Sequence, residues 1–322
     1  MRARVLLMCL GLLLFVVAAG SEPATTDVGR YHLQSNRWVN LHQRLMHEGL
    51  FGTPPPEGLG ADESAAWRAA VEKYRGWIGK RSPIEDAELI ALNATLAGAA
   101  GKAKLPDGLP PAAAEALTAA MPVYARAQWP KDDAANRFWI AVAVPMLQSA
   151  GDELVALHEQ AYGMPFPKKI LVDVSGLAGE FGGYTTGDGE AVHTTISSTD
   201  PAYQGFLALE MLMHEPSHGI VDMNSGAIGA DLGRISKMLG RRPPYNLWHA
   251  LLFDTSGELT RRVLAERGVT DYKPFIYLGM FDRQFKGMQE PFETSWRAYL
   301  DHRIDRDEAL RQIVLAVSKP PS

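Results

Sequence analysis

Between Tyr203 and Met223 the chain reads YQGFLALEMLMHEPSHGIVDM, a helix-length run that is apolar nearly all round until it reaches His214-Glu215-Pro216-Ser217-His218. A helix without a polar face must be buried. The rest of the molecule therefore has to wrap this segment and supply partners for the polar groups it carries. Each such group left unpaired in a core costs about 1–3 kcal/mol.

The spacing of those groups suggests chemistry. His214 and His218 stand one helical turn apart, so both imidazoles can reach one ion from the same face. Glu215 is offset around the helix, where it could accept a proton from water rather than bind the ion. Pro216 strains this arrangement. A proline inside a helix removes one backbone hydrogen bond, here to the carbonyl of Leu212, and typically costs about 3 kcal/mol. This could alter the ligand geometry, or it could be tolerated if that carbonyl finds another partner.

A metal needs a further ligand, and cysteine cannot provide it. The one cysteine of the 322 residues is Cys9, inside an apolar run from Val5 to Val17 that follows Arg2 and Arg4. Ala18-Ala19-Gly20 and the polar Ser21-Glu22-Pro23 come next. This layout predicts a secretory leader over residues 1–20, cleaved after Gly20, and an exported, periplasmic or secreted protein. No later segment is expected to span a membrane. The net charge of −5 with no basic stripe gives nucleic acid no foothold.

A glycine and a histidine three and six residues beyond His218, the extension that would complete a three-histidine site locally, are absent: Val221 and Asn224 stand there. The segment 247–259 (LWHALLFDTSGEL) carries acids out of place in an apolar helix. Glu258 is assigned as third ligand, with Asp254 as its supporting partner. Asp254 or His249 as ligand stays open, as does simple pairing of both acids with Arg261 and Arg262 on a solvated face. Gly257 would let this helix approach a neighbour. Asp222, one turn after His218, could hold that ring in place.

In these residues the chain resembles the zincin superfamily of zinc metallopeptidases, and its gluzincin branch in particular. There the two histidines share a helix, and a glutamate on a following helix is the third ligand. The resemblance covers residues 169–258. It implies Zn2+ as cofactor, peptide or another amide as substrate, Glu215 as general base, and an edge strand along which extended substrate lies. Ala191–Ser197 occupies that place in chain order, with His193 on it as a cleft residue. Tyr272, Tyr277, Tyr299 and His302 are all open as oxyanion donors. A non-catalytic exported binding or scaffold protein with a structural or degenerate metal site is the alternative.

The expected fold is α+β and helix-dominated. Residues 21–165 form a helical region, and residues 166–322 a zincin-like catalytic region. Helices are expected over 33–46, from 61 to 77, from Pro83, and over 132–162. Strand candidates at 169–174, 182–186 and 191–197, with a Thr186-Gly-Asp-Gly189 turn, suggest a small antiparallel sheet ahead of the metal-site helix. The Asn93-Ala94-Thr95 sequon falls inside a helical pattern and is read as incidental.

Overall fold

The computed structural model describes residues 25–318 apart from residue 225. The expected leader, with Cys9, lies outside them. Helices dominate, and a five-stranded sheet runs through the middle of the molecule. In chain order the elements are β1 (Thr25–Val28), β2 (Tyr31–Ser35), α1 (Arg37–Phe51), α2 (Ala61–Ile78), α3 (Ala87–Ala97), α4 (Pro111–Ala127) and α5 (Trp129–Tyr162). Then follow β3 (Lys169–Ser175), β4 (Gly183–Asp188), β5 (Ala191–Ser197), α6 (Phe206–Ser217), α7 (Gly226–Leu239) and α8 (Leu247–Glu266). Short helical turns between residues 275 and 300 lead to a last helix, Arg306–Val317, capped by Asp305.

The sheet is mixed, not antiparallel. Its order is β1-β2-β3-β5-β4, with β2, β3 and β5 parallel and the two outer strands antiparallel to their neighbours. The hairpin β4–β5 forms, but its turn is Gly189-Glu190: Thr186, Gly187 and Asp188, expected in the turn, pair with His193, Val192 and Ala191, and the second strand slots in beside β3. Residue type explains which strand lies inside. From Val192 to Ser197 every residue of β5 is buried, the pattern of a strand covered on both faces. In β4 burial alternates and ends in exposed Gly187 and Asp188, as an edge strand should. The expected substrate-side edge is therefore β4 and not β5.

The start of the chain also differs from its periodicity. Tyr31–Ser35 pairs with β3 as a strand, and the helix begins only at Arg37, where the Asn36 side chain accepts from Trp38 N. Likewise Pro83 stays in a turn, and α3 starts after Asp86, whose carboxylate takes Glu88 N and Leu89 N. In both places a side-chain cap competes with the helical pattern and sets the boundary.

The two faces of the sheet are chemically unlike. Tyr31, Leu33, Ile170, Val172, Val174, Val192 and Ile196 join α5, α6 and α8 in the larger apolar core. The opposite face carries a polar layer against α1 and α3. There Asp173 takes Gln34 Nε2 at 2.8 Å and lies 2.8 Å from His193 Nε2. Gln43 donates to Tyr184 Oη at 2.7 Å, and Asn93 donates to Thr195 Oγ1 at 3.2 Å. Asn93 is thus buried as a sheet partner, and the sequon it heads is closed to glycosylation in the folded chain. Helices α1 to α4 pack around a second, separate apolar cluster behind this layer.

By length and composition α5 could cross a membrane, contrary to the expectation that no such segment follows the leader. In this fold one face of it is packed, with Trp139, Ala143, Leu147 and Leu154 in the larger cluster, while Phe138 and Val142 are exposed. Asp173 joins β2, β3 and β5 through fully buried polar bonds. Asp173→Ala is therefore expected to lower unfolding stability by about 2–3 kcal/mol in a denaturant titration. A loss within the error of the titration would show that the polar layer contributes nothing.

Candidate metal centre

Helix α6 delivers its motif at its buried C-terminal end. Pro216 leaves the Leu212 carbonyl without an amide, and the structure supplies the missing donor from the sheet. The Tyr31 hydroxyl, on β2, donates to Leu212 O at 2.8 Å. Burial pushes that phenol well above its usual range, so it stays protonated and able to donate. Ser217 Oγ donates to Met213 O at 2.7 Å, and His218 N to Glu215 O at 3.1 Å, which tightens the last turn. The proline therefore ends the helix at the motif without leaving a bare carbonyl.

The third histidine comes from α8. His214, His218 and His249 each offer a ring nitrogen, and the three nitrogens lie within 4.8 Å of one another. Their ring centroids are 5.0, 5.4 and 5.1 Å apart. Phe253, one turn beyond His249, stacks on His214 at 3.8 Å, and Trp248 stacks on His249 at 5.0 Å. His214 is sealed, while His218 and His249 are partly exposed.

Two observations test whether these residues fit a metal. His214 Nδ1 and His249 Nε2 are buried without a hydrogen-bond partner among the described residues; His47 Nε2 and His193 Nδ1 share that state elsewhere, so it points to a metal only together with the convergence of the three rings. The rings are also held in the neutral form that binds metals. Burial, reinforced by the neighbouring histidines, pushes His214 well below the usual imidazole range and His218 to about 3. Burial alone takes His249 to about 4. The donor set is all nitrogen and suits a borderline cation such as zinc, which commonly takes three histidines.

Glu215 turns from the histidines toward the sheet edge. Thr185 Oγ1, on β4, donates to Glu215 Oε2 at 3.1 Å and is itself 2.9 Å from Thr194 Oγ1. Burial raises the carboxyl to about 7, against the pull of that hydrogen bond; a cation alongside would favour the carboxylate. Gly183 makes this corner possible. A Cβ there would sit 2.9 Å from both Glu215 Oε1 and Tyr203 Oη. Tyr203, just ahead of α6, escapes a sequence reading because nothing in its spacing marks it.

The acids of α8 do something else. Glu258 lies nine residues after His249, which on a helix is about half a turn out of phase and about 13 Å along the axis. Its carboxylate takes Arg261 Nε and NH2 at 2.8 Å each and Arg262 Nε at 2.7 Å, with Arg297 Nε at 3.5 Å. These guanidinium groups outweigh burial and hold it down at about 2. Asp254, fully buried, takes both terminal nitrogens of Arg297. Neither acid belongs to the histidine cluster, so the third-ligand assignment passes from Glu258 to His249. Asp254 likewise supports Arg297 and not the metal ligands.

His193 is corrected as well. It lies on the polar face of the sheet, paired with Asp173, while Thr185 and Thr194 face Glu215 from the other side. Asp222 accepts from Asn224 N at 2.7 Å, in the turn that leaves the motif. None of the four oxyanion candidates is at the centre. Tyr272 bonds buried Glu210, Tyr277 accepts from Arg297, Tyr299 donates to Ala161 O and exposed His302 lies beside Gln160. Glu210 sits one turn before His214, where Gly257 admits it: a Cβ on Gly257 would come 3.2 Å from Glu210 Oε1 and 2.6 Å from Pro274 Cβ. The expected close approach at Gly257 is therefore present.

The chain matches no known family, no curated protein and no solved structure. The geometry alone carries the functional reading.

Tyr31 and Pro216 form a testable pair. Tyr31→Phe should cost about 1–3 kcal/mol because it strands a buried carbonyl. Adding Pro216→Ala should recover much of that loss, since the restored amide can bond Leu212 O. Strictly additive effects in the double-mutant cycle would show that the hydroxyl does not compensate for the proline.

Proposed function

We propose that this protein is an exported zinc-dependent hydrolase of peptide or other amide bonds. The observation that carries the reading is the meeting of His214, His218 and His249 within 4.8 Å beside a buried glutamate of the same helix. His214, His218 and His249 would hold the ion, which when bound would supply Lewis acidity to an amide carbonyl and to water.

Glu215 is then the proton carrier. It has no cation partner among the described residues, and Thr185 fixes one oxygen, leaving the other at the Gly183–Tyr203 corner. From there the carboxylate can take a proton from attacking water and return it to the departing amine. The Tyr203 hydroxyl shares that corner and donates to Phe181 O at 3.1 Å; it is assigned as the donor that would turn from that carbonyl to developing negative charge on the substrate oxygen. The outer edge of β4 is open for an extended peptide to add as a further strand, main chain to main chain. The histidine-glutamate helix beneath a sheet edge supports a zincin-like arrangement, with His249 in place of the glutamate ligand of the gluzincin branch.

Purified protein is expected to carry about one zinc per chain by elemental analysis. His214→Ala, His218→Ala and His249→Ala should each lose it, while Glu258→Gln keeps it. Metal retained by His249→Ala and lost by Glu258→Gln would reverse the ligand assignment. Against a quenched-fluorescent peptide library, Glu215→Gln should retain zinc and reduce hydrolysis by about 10²–10⁴-fold. Zinc-loaded wild-type protein that cleaves no member of the library would count against peptides as substrates. Undiminished cleavage by Glu215→Gln would refute the role of the glutamate.

A further inference from the structure

A second site lies around α8 from His249. The helical phase that removes Glu258 from the metal centre places it on the wall of an open cavity of about 620 Å³. Arg261, Arg262, Arg297 and Lys273 line this cavity, against Glu258 and Asp301. The wall holds four cations and two acids, and Asp254, which pairs with Arg297 from behind, brings the acids to three.

The arrangement behind the wall fixes its guanidinium groups in place. Glu258, only 3 % exposed, is shared among three guanidinium groups, and fully buried Asp254 grips Arg297 from below. Asp301 holds Arg262 NH2 at 2.7 Å. These carboxylates fix the arginine planes but do not use every donor. Arg261 NH1 and the Lys273 ammonium have no partner among the described residues. Tyr277 accepts from Arg297 at 3.2 Å, which leaves its own O–H to donate. The cavity thus presents a guanidinium edge, an ammonium and a phenol, all as donors. The three arginines are matched by Glu258, Asp254 and Asp301, so the net positive charge facing the cavity is that of Lys273.

We infer that this cavity binds a small ligand bearing an oxyanion, either a phosphate monoester or a polycarboxylate. Guanidinium groups held in plane from one side match the oxygen geometry of both. The inference does not rest on the metal reading, because none of the three histidines lines the cavity.

Isothermal titration of the full chain with inorganic phosphate and, separately, with citrate at low ionic strength tests it. Saturable one-to-one binding of at least one probe is expected, and which one binds separates the two ligand classes. Arg261→Gln with Lys273→Gln should weaken it about tenfold or more, while Arg234→Gln, an exposed arginine engaged by Asp231 and Asp307, should leave it unchanged. Lys273→Gln alone, at an exposed position, gives the same reading if the double variant folds poorly. No saturable binding of either probe at millimolar concentration overturns the inference, as does equal affinity in wild type and the Lys273→Gln variant.

Discussion

The close contact of α6 with α8 is the constraint on which the rest depends. Gly257 of α8 lies against Glu210 of α6, and His249 lies against His214 and His218, so the two helices run antiparallel. A Cβ at position 257 would come 2.6 Å from Pro274 Cβ and 3.2 Å from Glu210 Oε1, so the Pro274 segment would have to move and the Glu210 carboxylate to give way. With glycine there, the first turn of α8 reaches the end of α6 and three neutral imidazoles meet. Phe253 completes the contact by stacking on His214. The histidine cluster is thus a consequence of packing between two buried helices, each of which supplies part of it.

The same packing sorts the charges of α8 onto different sides. Toward α6 the helix presents His249 and Phe253; on the far side Asp254 and Glu258 meet Arg297, Arg261 and Arg262. Removing one member of such a network would leave an uncompensated buried charge, so the network ties the segment at residues 297–301 to α8. On the other side of α6, Tyr31 ties the motif to the sheet through Leu212 O. Sheet, α6 and α8 are joined in this way by contacts that run through or beside the candidate site.

Much of this was legible in the sequence, for local reasons. The motif at 214–218 and its buried helix follow from spacing and the lack of a polar face. The three central strand segments follow from alternation and turn residues, and the need for a donor to Leu212 O follows from Pro216. What was not legible depended on distant partners. Pairing of Glu258 with Arg261 and Arg262 was one of the open choices in the sequence, but the partner of Asp254, Arg297, lies far along the chain. His249 was one open choice among several because nothing local shows which face of α8 meets α6. Whether β4 or β5 pairs with β3 is a matter of topology, and it decides which strand is the edge and on which face His193 lies. Tyr203 owes its position beside Glu215 to Gly183, a glycine whose role appears only when the two are brought together.

The central claim is that three imidazoles hold one zinc ion. X-ray absorption at the zinc edge of the purified, zinc-loaded protein tests it most directly, because rigid imidazole rings give outer-shell scattering that carboxylates do not. The account predicts a first shell of nitrogen and oxygen at about 2.0–2.1 Å with an outer-shell pattern that requires three histidines. A first shell fitted by two histidines and a carboxylate, or a chain that takes up no zinc, would contradict it.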